Sequence, residues 1–134
     1  MQNNKGICER IIKLDRNIRF VGIVNDRGEV IEGGFQRGIQ PMLGETEEQQ
    51  MYINSLTFIS AFDLYKEKLG ALKSSVSEHQ KVTLITIPLG DGRILCISCA
   101  PKGKVDKIKA AAAGVIKESH LGAKTGRNAK KSMK

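Results

Sequence analysis

Apolar positions along the chain change period several times, and each change marks an element. Near the start, Ile7, Ile11, Leu14 and Ile18 recur at helical spacing, while Glu9, Arg10, Lys13 and Arg16 fall largely elsewhere on the wheel. This predicts a helix over about residues 4–17, with Asn3 or Asn4 placed to cap it. The stretch FVGIVNDRGEVIEGGF, residues 20–35, then reads as strand, turn, strand. Asp26-Arg27-Gly28 suits a type I turn closed by a glycine in the left-handed region, a common three-residue hairpin loop. Residues 33–44 hold four glycines and Pro41 and read as a connecting loop.

Helical spacing returns over about residues 45–69. Thr46 with Gln49 fits a capping box, and Gly44 equally fits the boundary. Glu45, Glu47 and Glu48 lie at the positive end of the helix dipole, Lys66 and Lys68 at its negative end, and Gly70 is placed to stop the helix. Met51, Phe58, Phe62, Tyr65 and Leu69 form one stripe, widened by Leu56 and Ile59. Residues 71–81, ALKSSVSEHQK, are polar and fit a loop or a weak strand.

The clearest pattern follows in VTLITIPLGDGRILCISCA, two β-branched-rich runs around Gly90-Asp91-Gly92. Pro88 cannot donate to a ladder and belongs beside the turn or on an edge. Taking Asp91-Gly92 as a two-residue loop pairs Leu89 with Ile94 and Ile87 with Cys96. Ile85, Ile87, Leu89, Ile94 and Cys96 then share one face, and Val82, Leu84, Leu95, Ile97 and Cys99 the other. Both faces are apolar, so the strands require cover above and below. A helix over about residues 104–120 supplies some of it through Val105, Ile108, Ala112, Val115 and Ile116. Beyond it, residues 121–134 show no apolar periodicity and read as a flexible basic tail after a single domain over residues 1–120.

The composition suits one soluble domain: 134 residues, of which 40% are apolar and 27% charged. No apolar run approaches the roughly 20 residues needed to cross a bilayer, and the start MQNNKGICER lacks the apolar core of a secretory signal. Three cysteines, an odd number, argue for a reducing compartment, and the cytoplasm is the expected location. Charge refines the picture. Residues 1–100 are balanced, whereas ten basic residues face only Asp106 and Glu118 beyond residue 100 and hold the whole excess of +8. Acidic partners are therefore expected at that end, with Lys124, Arg127, Lys130, Lys131 and Lys134 as the docking groups.

Candidate chemistry is sparse. Cys96-Ile97-Ser98-Cys99 is a C-x-x-C, but on a strand its cysteines point to opposite faces roughly 10 Å apart, too far for a disulfide. A reactive C-x-x-C sits at a helix start, and no second one exists to complete a zinc site. Cys8, Cys96 and Cys99 read as buried structural thiols, and His79 and His120 as exposed. Asp26 and Asp91 occupy turn positions that favour Asp for conformational reasons. The run GAKTGR, residues 122–127, lacks the phosphate-loop spacing and a preceding strand. No catalytic group, metal or cofactor is expected.

The order helix, two strands, long helix, strands, helix, with the hairpins FVGIVNDRGEVI and TLITIPLGDGRILCIS, resembles the roadblock-type dynein light chain family, part of a wider longin and profilin-like group. The resemblance covers about residues 4–120 and rests most on Asp26-Arg27-Gly28 and on the run from Ile87 to Gly92. The chain is also similar to small archaeal proteins with no assigned activity. The resemblance implies an α+β fold in α/β/α layers, order α-β-β-α-β-β-β-α, around an antiparallel sheet of about five strands. The first and last helices would share one face and the long helix take the other. It also implies a non-enzymatic homodimer that serves small GTPases, motors or membrane complexes. Such dimers join sheets through the third strand and pack the long helices together. This sequence departs from that pattern at residues 71–81, which are short and polar where the family has an apolar strand.

The leading expectation is thus a dimeric scaffold that docks a nucleotide-binding partner, with Met51, Phe58, Phe62 and Tyr65 as the interface. Two alternatives stand beside it. One is a sequence-blind nucleic-acid binder acting through the basic end, since the strands offer no exposed aromatics for base stacking. The other is a sensor with a small ligand between sheet and long helix.

Overall fold

A computed structural model describes residues 2–124, and side chains over residues 6–119. The chain runs α1 (Gln2–Ile12), β1 (Ile18–Val24), β2 (Val30–Phe35), α2 (Glu45–Phe62), a 3-10 turn (Asp63–Tyr65), α3 (Lys66–Leu69), β3 (Ser75–Glu78), β4 (Thr83–Pro88), β5 (Ile94–Cys99) and α4 (Val105–Lys124). The strands form one antiparallel sheet in the order β2-β1-β5-β4-β3. The two hairpins meet along β1 and β5, where Val21 pairs with Ile97 and Ile23 with Leu95. These two strands are the most apolar in the chain, and the centre of the sheet is where both faces can be covered.

One face is a closed core. Val21 and Ile23 of β1, Ile85 and Ile87 of β4 and Leu95, Ile97 and Cys99 of β5 lie beneath Ile7, Cys8 and Ile11 of α1 and Ile108, Ala112, Val115 and Ile116 of α4. Burying each of the larger aliphatic side chains contributes about 1.5–3 kcal/mol. The other face is covered in part by α2, whose Tyr52 joins a buried cluster with Phe20, Val24, Ile94 and Cys96. The layers are those expected, with the first and last helices together and the long helix opposite.

Several elements differ from the sequence expectation. The first helix starts by Gln2, so neither Asn3 nor Asn4 caps it, and it ends at Ile12 rather than near residue 17. Asp15 ends it locally: its Oδ1 accepts from the Asn17 N–H at 2.8 Å and its carbonyl from the Ile18 N–H at 3.1 Å. Leu14 leaves the stripe and stands exposed. Gly33 and Gly34 belong to β2 rather than to the connecting loop. Residues 75–78 form an edge strand, since β4 offers a free ladder for even a polar segment.

The second hairpin corrects the expected register. Pro88 pairs with Ile94, Ile87 with Leu95 and Ile85 with Ile97, so the loop spans residues 89–93. The Leu89 N–H donates to the Arg93 carbonyl at 3.0 Å, and Asp91 Oδ1 accepts from the Arg93 N–H at 3.1 Å, which closes a longer loop than two residues. A one-residue slip moves every side chain of one strand to the other face. Ile85, Ile87, Leu95, Ile97 and Cys99 therefore share the closed core, while Leu84, Ile94 and Cys96 face α2. Both faces of each strand remain apolar, which is why the need for cover on each side survives the error.

The first hairpin matches its reading. Gly28 has φ +82°, its N–H donates to the Asn25 carbonyl at 3.1 Å, and Asn25 Oδ1 accepts from the N–H groups of Arg27 and Glu29. The last helix carries its expected apolar face and runs on to Lys124.

Candidate interaction surface

The long helix is capped by its loop. Glu47 Oε1 accepts from the Gly44 N–H at 2.9 Å, so the boundary is Gly44 with Glu47 and not Thr46 with Gln49. Three carboxylates then occupy the first turn, where the helix dipole favours them. The expected single helix to Leu69 is interrupted by the 3-10 turn over Asp63–Tyr65. Gly70, whose N–H donates to the Lys66 carbonyl at 2.8 Å, ends the segment.

This helix carries two apolar rows with different fates. Tyr52, with partly buried Leu56 and Ile59, faces the sheet, and the Tyr52 and Phe20 rings stack at 6.2 Å. Tyr52 was absent from the expected site. Leu56 and Ile59, expected to widen the stripe of Phe58 and Phe62, instead form a second row with Tyr52, whose signal was the spacing of 52, 56 and 59. Met51 lies between the rows and is partly buried. Phe58 is 47% exposed, Phe62 38% and Tyr65 54%, so the sheet does not cover this row. The three rings nonetheless touch one another: Phe58 and Phe62 lie 5.0 Å apart and Phe62 and Tyr65 6.2 Å, each pair tilted or edge-on. Leu64 and Leu69 beside them are also exposed.

At the other end of α2 a cleft of about 280 Å³ opens between helix and sheet. Its walls include Phe20, Phe35, Met51, Leu84, Thr86 and Cys96, with Arg19, Glu48 and His79 also lining it. Phe58 and Phe62 are not among its lining residues, so the cleft is left open by the aromatics on its own helix. Arg19 is held by its Nη2, which donates to the Gln40 carbonyl at 3.0 Å. Burial raises the Glu48 carboxyl, and the neighbouring Glu45 adds to it. Burial also pushes the Tyr52 hydroxyl well above its ordinary range, with Glu48 and Cys96 contributing. The Cys96 thiol, desolvated in the cleft wall, is pushed up to about 12.

The remaining candidates fall apart in space. Cys96 faces α2 and Cys99 faces the closed core, and both thiols are free, as is buried Cys8. Asp91 is engaged by Arg93, whose hydrogen bonds hold its carboxyl below the usual range. His79 is exposed, its Nε2 2.8 Å from Ser77 Oγ. Among the described residues, no group of three or more His, Cys, Asp or Glu side chains is placed to hold a metal ion. No described helix is long and apolar enough to cross a membrane. Lys124 closes α4, with its side chain outside the described residues, and Arg127, Lys130, Lys131 and Lys134 lie outside them entirely.

With the layers and this surface defined, the chain can be set beside known proteins. No family model and no curated protein matches it. Solved structures do. The Roadblock/LC7 domain from Streptomyces avermitilis superposes with a TM-score of 0.64 at 12% identity, over 85% of this chain and 92% of that one. MglB of Myxococcus xanthus gives 0.65 at 16% identity, over 87% and 84%. The gliding protein MglB from Thermus thermophilus gives 0.64 at 14% identity, over 88% of each. The chain has the roadblock fold. Within that fold β3 is a sheet edge of only four residues, Ser75–Glu78, and the exposed aromatic row lies on the face opposite α1 and α4. Phe58 and Phe62 on the long helix and Tyr65 in the turn beyond it are thus left exposed.

Proposed function

We propose that this chain is a non-enzymatic interaction module that pairs with a second copy of itself and docks a nucleotide-binding, small-GTPase-like protein. The observation that carries the proposal is the row Phe58, Phe62 and Tyr65, three touching aromatics left in water beside Leu64 and Leu69. Contiguous exposed apolar surface of this kind marks an interaction site, and aromatic side chains are the usual anchors of interfaces. The roadblock fold supports the reading, since the family resemblance implies dimers that serve small GTPases. One similar structure is described as MglB with tetrameric arrangement, at 17% identity and a TM-score of 0.57.

Light scattering coupled to size exclusion tests the pairing. A dimer at micromolar concentration is expected, with Phe58→Glu combined with Phe62→Glu giving a folded monomer. A wild-type chain that stays monomeric throughout that range overturns it. The second half is tested by immobilising the wild-type chain and the double variant in lysate of the native source. The wild type should retain a protein that releases bound nucleotide on denaturation. Recovery of no nucleotide-binding protein would sink the docking role.

A further inference from the structure

The pairing of β1 with β5 slips once, between Ile18 and Phe20. Residues two apart on a strand ordinarily share a face, yet Ile18 belongs to the closed core and Phe20 to the cluster under α2. The extra residue is Arg19, and a bulge of this kind re-aims its side chain. Here it puts Arg19 in the wall of the cleft between sheet and long helix. The residue is half-buried, and its Nη2 donates to the Gln40 carbonyl. A carbonyl brings no countercharge, and Arg19 forms no ion pair among the described residues. An arginine fork held at one corner keeps N–H groups for a planar, two-oxygen anion.

The floor of the cleft adds neutral donors. Ser98 pairs with Phe20 on one side and Leu84 on the other, and Thr86 pairs with Cys96. Ser98 and Thr86 are therefore diagonal neighbours on the face turned to α2. Among the described residues the bonded hydroxyls of serine and threonine are those of Ser55, Thr57 and Ser77. Thr86 is only 9% exposed, yet its hydroxyl and that of Ser98 have no partner and are not sealed from solvent. Both open onto the cleft that they line. Phe35, Met51 and Leu84 supply apolar walls. A cavity of about 150 Å³ holds benzene, so roughly ten non-hydrogen atoms suit about 280 Å³. The volume fits a small acid and not a nucleotide.

Glu48 and His79 also line the cleft. A cation would be drawn to Glu48, but burial and the nearby Glu45 push that carboxyl toward its protonated form, in which it donates to an anion. Arg19 keeps its charge at any working pH, so the anion is favoured. We propose that the cleft is a binding site for a small apolar monocarboxylate, either a medium-chain fatty acid or an aryl-substituted acid. Its carboxylate meets the Arg19 guanidinium and the hydroxyls of Ser98 and Thr86, and its body lies against Phe35, Met51 and Leu84. The site is complete within one copy and does not depend on self-pairing.

Octanoate and 3-phenylpropanoate, each titrated into the full chain and followed by amide NMR, distinguish the two kinds of acid. At least one should bind with a Kd below about 1 mM and shift the amides of Arg19, Thr86 and Ser98. The alcohol and the amine of the same skeleton should bind at least about tenfold more weakly, since neither offers a carboxylate to the fork. Arg19→Gln should reduce the better acid to the level of its alcohol. Thr86→Val, nearly the same in shape, should weaken the acid roughly three- to tenfold.

Failure of both acids to bind by about 10 mM overturns the proposal. So do shifts confined to residues outside the cleft, or an alcohol that binds as well as its acid. An amine that binds better than its acid assigns the cleft to cations at Glu48 and overturns it too. Should Arg19→Gln fail to fold by circular dichroism, the ranking of acid, alcohol and amine on the wild-type chain decides. A monomeric wild type sinks the self-pairing reading and leaves this one standing. A dimer that ignores both acids sinks this one alone.

Discussion

Gly22 sits opposite Gly33 where β1 pairs with β2, and the backbones come so close that a Cβ on Gly33 would lie 2.1 Å from the Val21 carbonyl oxygen. The same Cβ would meet Gly22 Cα at 2.8 Å and Cys8 Sγ at 3.0 Å, and Gly33 has φ +93°. Cys8 belongs to α1, so this approach also sets how near that helix lies to the sheet. Gly33→Ala should cost at least about 2 kcal/mol, from left-handed strain and backbone collision together. Gly34→Ala, with nothing within 4 Å, should change stability by less than about 1 kcal/mol. Urea unfolding of the two variants makes the comparison, and equal losses would refute it.

Tyr52 is the pin that holds α2 to the sheet. It is 4% exposed, stacks on Phe20 and shares one buried cluster with Val24, Ile94 and Cys96. Tyr52→Ala should destabilise by about 3 kcal/mol, as large-to-small changes at buried aromatics do. Tyr52→Phe keeps the ring and should cost about 1 kcal/mol or less. Chemical denaturation gives both values, and a mild Tyr52→Ala would show that α2 is held by other contacts.

Stability should decline in alkali before most surface groups titrate. Burial, with help from Glu32, raises the Cys8 thiol from 9.0 to about 11, and burial raises Cys96 from 9.0 to about 12. A thiol raised in the folded state keeps its proton where the unfolded chain has lost it. The stabilisation is therefore complete below about pH 9 and is lost as pH rises through 11 to 12. Each thiol adds a slope of at most about 1.4 kcal/mol per pH unit in that window. Urea midpoints from pH 7 to 10.5 should fall above about pH 9, less steeply in Cys96→Ala. An unchanged slope in that variant would assign the decline to other groups.

Two contacts between the first and last helices should differ sharply in worth. Arg10 and Glu118 form an ion pair, but their side chains are 51% and 66% exposed. Such pairs contribute little, and Arg10→Ala should cost under about 1 kcal/mol. Ile11, fully buried one residue on, should cost about 2–5 kcal/mol on replacement by Ala. Thermal unfolding of the two variants checks the order, and the reverse ranking would mean that charge, not burial, joins these helices.

Much of this architecture could be read from residue spacing, and the failures have one cause. Ile7 and Ile11, the Asp26-Arg27-Gly28 turn, and Val105 to Ile116 declared themselves because each signal is local to one element. The hairpin around Asp91 did not. Its loop length depends on how Asp91 and Arg93 close the turn, and composition allowed two residues or five. Phe58, Phe62 and Tyr65 lie together in the structure, but Met51, Leu56 and Ile59 of the same expected stripe pack toward the sheet, and Tyr52 was missed because two helical rows of similar apolar character ran side by side. Only the position of the sheet distinguishes the row it covers from the row it leaves exposed.

The sequence by itself determined the number and order of the main elements, the need to cover both faces of β4 and β5, and the location of the charge excess. These follow from periodicity and composition, which act within a few residues. Tertiary structure alone decided that Ile87 pairs with Leu95, that Ser75–Glu78 becomes an edge strand, and that α2 covers only part of its face. Each of those outcomes depends on which distant surface an element meets, and spacing along one segment carries no record of its neighbour.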